Sequence, residues 1–244
     1  MEISTILWRE FKFFQKRAFK ITSQSVVTPL LYLLAFGWGL GSDIVIDGNN
    51  YMHYIIPGII AMSTMHTSFN AVSIRISVAR LHEKSFEDYM TAPVNLSLLT
   101  LGYILAGALR GLYAGMIILL ISYLFKAYIH VNFSFVAIAL LNSLLFAAFG
   151  YYAAMVINSH YDMNRFTSFI ITPMTFICGT FFSLDKMPLM VKKIIYVLPL
   201  THTINSLRGI ALRNNFDYTS IFVLICYIVV FYILGVYASY REIN

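Results

Sequence analysis

Long apolar runs separated by short polar interruptions organise this chain. They cover Val26–Leu40, Tyr54–Ile74, Leu96–Phe125, Ser134–Ile157, Phe166–Leu184 and Ser220–Tyr240. Most are close to the twenty or so residues a helix needs to cross a hydrocarbon core, the first being shorter and the third longer. Before the first run, Arg9, Lys12, Lys16 and Lys20 recur every three or four residues, so they share one helical face. Ile3, Ile6, Leu7, Phe14, Ala18 and Ile21 lie elsewhere on the helix, joined by Trp8, Phe11 and Phe13. That pattern predicts an amphipathic helix over 1–22 lying in the membrane interface. A cleaved signal peptide is rejected: the basic segment is too long and aromatic, and many spans follow. Residues 75–95 form a polar insert. In the segment 185–218, Pro188 and Pro199 bracket about ten residues, too few to cross the core. Pro199 would break any single span there. Two short helices that dip in and return satisfy the pattern, with the bend buried in protein or lining a wet cavity. The expected fold is an all-α polytopic membrane protein, a single transmembrane domain over 1–244 with six transmembrane helices.

Composition agrees with the pattern. Hydrophobic residues make up 59% and charged residues 11%, against about 25% charged in soluble domains. A mean hydropathy of +0.74 would leave a soluble fold of this size with an apolar surface. The net charge of +6 comes from cations flanking the apolar runs. It therefore reads as topology and lipid-headgroup contact, not nucleic-acid binding. With the N-terminus inside, the inner segments hold ten Lys and Arg and the outer segments six, five of those within 185–218. This bias places both termini in the cytoplasm. Cys178 and Cys226 sit inside apolar runs with no CxxC spacing, so neither a disulfide framework nor a thiolate metal site is indicated. No two halves match, which argues against an inverted-repeat carrier.

Several chemistries fail on the residues. There is no GxxxxGK(S/T): the Gly102–Gly107 spacing continues as "ALRG". "HEKSF" at His82 has no second histidine for a zinc helix, and no GxSxG is present. An intramembrane enzyme built on His66 or His202 would lack a nearby nucleophile or acidic partner. An ion-coupled secondary transporter, the alternative to a driven permease, would want carboxylates at mid-membrane. All eleven acidic residues fall outside the span interiors.

Other features survive. In the insert, Arg80, Glu83, Lys84, Glu87 and Asp88 cluster on a short helix with Val78, Leu81, Phe86, Tyr89 and Met90 on an apolar side. Two readings stand, a solvated loop or a docking surface for a soluble partner. The second span carries Ser63, His66, Thr67, Asn70 and Ser73 at helical spacing, a face that must meet protein or water. An interhelical hydrogen-bond seam explains most of it; His66 and Asn70 are the pathway candidates. Gly107, Gly111 and Gly115 form a small-residue packing face. Arg110 beside them either snorkels to the cytoplasmic face or pairs inside the bundle, and is a third pathway candidate.

In order and spacing, these features resemble the membrane subunits of type-2 ABC exporters, over nearly the whole chain. The signature before the last span resembles Pro199-Leu200-Thr201-His202, five residues, then Arg208-Gly209; "FICGTFFSLDKMP", containing Pro188, resembles the end of span five. "YIIPGIIAMS", "EKSFEDYMTAPV" and "ALRGLYAG" resemble the drug-efflux and nodulation-factor exporter branch. The resemblance implies a bacterial inner-membrane permease that pairs with a second copy, or with a related permease, and docks on two separate ATPase subunits. Those subunits use ATP and Mg, and this chain binds no cofactor or metal. Arg80, Glu83, Lys84, Phe86, Glu87 and Asp88 would lie in the coupling helix. The segment around Pro199, His202, Arg208 and Gly209 would shape the outward end, with His202 and Arg208 on its polar side. Where the family often has Glu-Gly-Thr, this chain has Glu83-Lys84-Ser85, which changes the contacts to the partner.

Overall fold

The amphipathic helix and the first apolar run form one element in the computed structural model, which describes residues 2–39, 45–46, 49–81, 83, 95–213 and 217–242. Helix α1 (Glu2–Tyr32) runs on into a π-helical turn, Leu33–Gly39. The division expected after residue 22 falls at Arg17, whose backbone leaves the helix (φ −123°, ψ 15°). The two parts are therefore kinked but not separated by a loop. Two-residue strands β1 (Val45–Ile46) and β2 (Asn49–Asn50) pair antiparallel, Val45 with Asn50 and Ile46 with Asn49.

Helix α2 (Tyr51–Leu81) continues past the expected end at Ile74, so the first seven residues of the polar insert are its last two turns. It is the pillar of the fold, packed against α3 (Leu96–Leu124) and α4 (Phe133–Val156). Ser63, Thr64, Ser68, Ser73 and Ser77 are all buried along it. A helix with this many polar groups is stable in lipid only when its neighbours shield them. The Ser63 and Ser68 hydroxyls donate back to the carbonyls of Ile59 and Thr64, each at 2.7 Å.

The α2–α3 approach is close because α3 presents glycines. A Cβ at Gly111 would lie 2.8 Å from Ser143 Oγ and 2.9 Å from the Thr64 carbonyl; one at Gly115 would lie 2.7 Å from Thr64 Cγ2. Gly107 faces Val72 and Ala147 in the same way. Asn95 and Asn132 cap α3 and α4 through their side chains.

The fifth apolar run does not form one α-helix. Helix begins before the run, in the polar stretch ahead of Phe166, as α5 (His160–Phe166), and continues as a π-helical turn Thr167–Ile171 and α6 (Thr172–Ile177). The expected end at Leu184 is seven residues too late. Gly179 adopts φ +84°, a left-handed conformation that ends the helix and turns the chain. Two short helices follow, α7 (Leu189–Val197) and α8 (Pro199–Arg208). Pro199 occupies the first turn of α8, where its missing N–H is no loss. After a π-helical turn, Gly209–Arg213, helix α9 (Tyr218–Arg241) closes the fold against α4 and α8. Among the described residues, four helical stretches are long and apolar enough to cross a membrane: Ile3–Gly37, Leu96–Leu124, Phe133–Val156 and Tyr218–Arg241. Helix α2 is as long, but its buried polar face lowers its hydropathy.

Candidate functional site

A cavity of about 800 Å³ opens between α1, α2 and α6, with Arg110 of α3 at one end. Helix α2 lines it with Ser63, His66, Thr67, Asn70 and Ile74, positions three or four apart that share one face. All three pathway candidates, His66, Asn70 and Arg110, border this one space. The cavity is graded along its length. Tyr32, Pro29, Met62 and Phe176 form an apolar end, hydroxyls and the Asn70 amide form a middle band, and Arg17, Lys20, Arg75 and Arg110 with Glu83 form a charged end. His66 Nε2 meets Thr175 Oγ1 at 2.8 Å, and the Thr175 hydroxyl donates to the Ile171 carbonyl at 3.3 Å. This chain of contacts ties α2 to α6 at the π-helical turn.

Behind the charged end lies an element the spacing along the chain did not disclose. Glu10, 5% exposed, receives Arg110 Nη2 at 2.7 Å, Arg9 Nη2 at 3.4 Å and Arg75 Nε at 3.6 Å. Arg75 also reaches Glu83 at 3.4 Å, and the Phe13 ring lies 5.4 Å from the Arg110 guanidinium. Of the two alternatives for Arg110, the structure has the paired one: its side chain is 11% exposed and bound to a buried carboxylate. The local hint of Glu10 is that it stands alone as an acid between the cations Arg9 and Lys20.

Arg80 departs from the expected docking surface. Its side chain is 9% exposed, pairs with Glu242 at 2.7 Å, and donates to the Ala154 and Ile157 carbonyls at 2.9 and 3.3 Å and to Asn158. It caps the C-terminal end of α4, where a cation is favoured by the exposed carbonyls. The same pair brings the end of α9 to the end of α2. Glu83 is half exposed and pairs with Arg75. Lys84, Phe86, Glu87 and Asp88 lie outside the described residues.

The signature before α9 also points inward. Arg208 donates from Nη2 to the Gly179 and Thr180 carbonyls at 3.0 and 3.3 Å and from Nε to the Tyr54 carbonyl at 3.2 Å; its guanidinium sits 3.6 Å from the Tyr54 ring centroid. It joins the C-terminal end of α8 to the Gly179 turn and to the start of α2. His202 contacts the Tyr196 carbonyl at 2.8 Å and Ser220 Oγ at 3.2 Å, linking α7, α8 and α9. These two partly exposed side chains are held by protein partners. Pro188 precedes α7, and Gly209 ends α8 with helical dihedrals. Asn142, also missed from the sequence, donates to the Ala61 carbonyl at 3.0 Å and to Thr64 Oγ1 at 2.8 Å, and accepts from Thr203 at 2.8 Å. It fastens α4 to α2 and α8. Partial burial alone would lift the Asp217 carboxyl, but hydrogen bonds from the Ser220 hydroxyl at 2.6 Å and from the Ser220 and Thr219 amides, with His202 nearby, outweigh it and lower its pKa.

A family model described as ABC-2 type transporter matches residues 1–212. The chain belongs to that family. As an ABC-2 family member it is a transmembrane transport permease. It is 30% identical over 213 residues to the inner membrane transport permease YadH of Escherichia coli K12, covering 86% of this chain and 83% of that one. It is 26% identical over 236 residues to nodulation protein J of Rhizobium meliloti, covering 94% and 89%, and 28% identical over 222 residues to that of Bradyrhizobium diazoefficiens, covering 87% and 82%. Among the described residues no cluster of His, Cys, Asp and Glu is arranged to hold a metal ion.

Proposed function

We propose that this ABC-2 permease is the membrane half of an ATP-driven exporter and that the α1–α2–α6 cavity is its share of the transport path. The cavity carries the reading. It is graded from charge to aromatic apolarity, as an amphiphilic cargo requires, and its volume falls in the range of small-molecule sites. Six spans with both termini cytoplasmic accommodate the chain when α2 and the α5–α6 unit cross beside the four apolar helices. The inner membrane is the expected location, in keeping with the name of the YadH relative. Two copies of the chain and two ATPase subunits complete the transporter, with ATP and Mg at the ATPases. Glu83 and the residues after it contact the ATPase, so its closure moves the end of α2 and, through Arg75, the charged end of the cavity.

The test is uptake of a fluorescent lysolipid into inverted membrane vesicles holding the permease and its ATPase. Uptake requires ATP and stops when the ATPase's catalytic glutamate is replaced. Uptake driven by an ion gradient without ATP would overturn the reading in favour of a secondary carrier.

A further inference from the structure

The four cations at one end of the cavity are unevenly matched. Arg110 and Arg75 meet Glu10, and Arg75 also meets Glu83. Arg17 and Lys20 meet no carboxylate among the described residues; Arg17 has only the Phe13 ring, 4.8 Å from its guanidinium. Among the described residues, four lining cations face one lining carboxylate, Glu83, and share the buried Glu10 behind them, which leaves this end net positive at neutral pH. Both unmatched cations are exposed, and Arg17 stands at the kink of α1, where the helix leaves its regular path. From this end the cavity follows α2 from Val78 to Met62, a rise of about 24 Å at 1.5 Å per residue, and finishes between Tyr32 and Phe176. Those two rings pack edge to face with centroids 6.1 Å apart.

From these placements we infer that the cavity selects amphiphiles with an anionic head, a phosphate or a similar group, held by Arg17 and Lys20 with the apolar chain directed toward Tyr32, Met62 and Phe176. A cationic head at the same place would meet like charges, which disfavours it. A phosphate oxyanion would form charge-assisted hydrogen bonds with the guanidinium and the ammonium. The middle band of hydroxyls and the Asn70 amide can pair with polar linkages between head and chain. This deepens the proposed exporter role and rests on it for the word cargo. The binding itself is scored without ATP, ATPase or transport, so the two readings fail separately.

The experiment is thermal stabilisation of the purified permease in dodecyl maltoside, titrated with dodecyl phosphate or with dodecyltrimethylammonium, two probes with the same chain and opposite heads. A ligand that binds the folded state raises the unfolding midpoint according to its affinity. The wild type favours dodecyl phosphate by about tenfold in apparent affinity, an advantage that shrinks with added salt. Arg17→Gln/Lys20→Gln abolishes the preference. Should that double variant not fold, Lys20→Glu, a single change at an exposed position, decides: it shifts the preference toward the ammonium, while Lys20→Arg retains the wild-type order. Equal affinity for both probes in the wild type, or an unchanged preference in Lys20→Glu, would overturn the inference. Repeating the titration in phosphatidylglycerol nanodiscs separates the sources of the head group. Loss of the dodecyl phosphate effect there identifies a bilayer phospholipid as the occupant, and its persistence identifies an exported solute; both support the anionic site.

Discussion

Replacing Glu10 by alanine strands the Arg110 guanidinium beside α1 with no counter-charge in direct contact. The Glu10–Arg110 pair is short, 2.7 Å, and both side chains are withdrawn from water, 6% and 11% exposed. With charge centres about 4 Å apart and an effective dielectric constant near 20, the attraction is about 4 kcal/mol. Removing one partner of a buried pair destabilises by about 3–5 kcal/mol, because the other stays buried and uncompensated. Arg9 and Arg75 add less, being 34% and 24% exposed and at 3.4 and 3.6 Å. The assay is a double-mutant cycle with Glu10→Ala, Arg110→Ala and the double variant, each unfolded reversibly in mixed micelles of increasing dodecyl sulfate content. The double variant should be less destabilised than the sum of the singles by at least about 2 kcal/mol. Additive effects, or a Glu10→Ala loss below about 1 kcal/mol, would refute the placement of a buried carboxylate at this junction.

Three further outcomes follow from the geometry. Gly111→Val places a branched side chain against Ser143 Oγ and the Thr64 carbonyl, 2.8 and 2.9 Å from its Cβ, and should lower the stability of the purified protein by about 3 kcal/mol or more, while Gly39→Ala, whose nearest neighbour lies at 3.5 Å, should be mild. Arg208→Lys cannot reproduce the planar fork that reaches the Tyr54, Gly179 and Thr180 carbonyls together, so it should behave nearly as Arg208→Gln in thermal unfolding. Asp217→Ala removes the cap of α9 and should lose about 1 kcal/mol at pH 7. Because the carboxyl's folded pKa is lowered, that stabilisation is present above the ordinary carboxylate range and fades as pH falls through the folded value; an acid titration of wild type and variant should show the two curves converge.

Much of this architecture is readable from local pattern. The runs Leu96–Phe125 and Ser134–Ile157 differ by a residue or so at each end from α3 and α4, because uninterrupted apolarity and asparagine caps are local signals. The break at Pro199 is likewise written in one residue. The misreadings have a common origin. The kink at Arg17 and the early end at Ile177 depend on how the chain meets its neighbours, and Gly179 looks like any glycine until its dihedral is known. Partners distant in sequence were invisible. Glu10 is 100 residues from Arg110, Asn142 is 78 from Thr64, and Arg80 is 162 from Glu242. Arg80 shows the consequence most clearly: a cation in a charged stretch reads as a docking residue, yet its hydrogen bonds hold α4 and α9 to α2.

Asn70 borders the cavity midway between its charged and aromatic ends, where cargo would have to pass. The direct measurement is ATP-dependent lysolipid uptake into inverted vesicles carrying Asn70→Trp, with ATPase assembly monitored by co-purification. The bulky ring should fill the passage, so uptake falls at least tenfold while the complex assembles as in the wild type. Wild-type uptake with a tryptophan at position 70 would contradict it, and cargo would then have to cross outside this cavity.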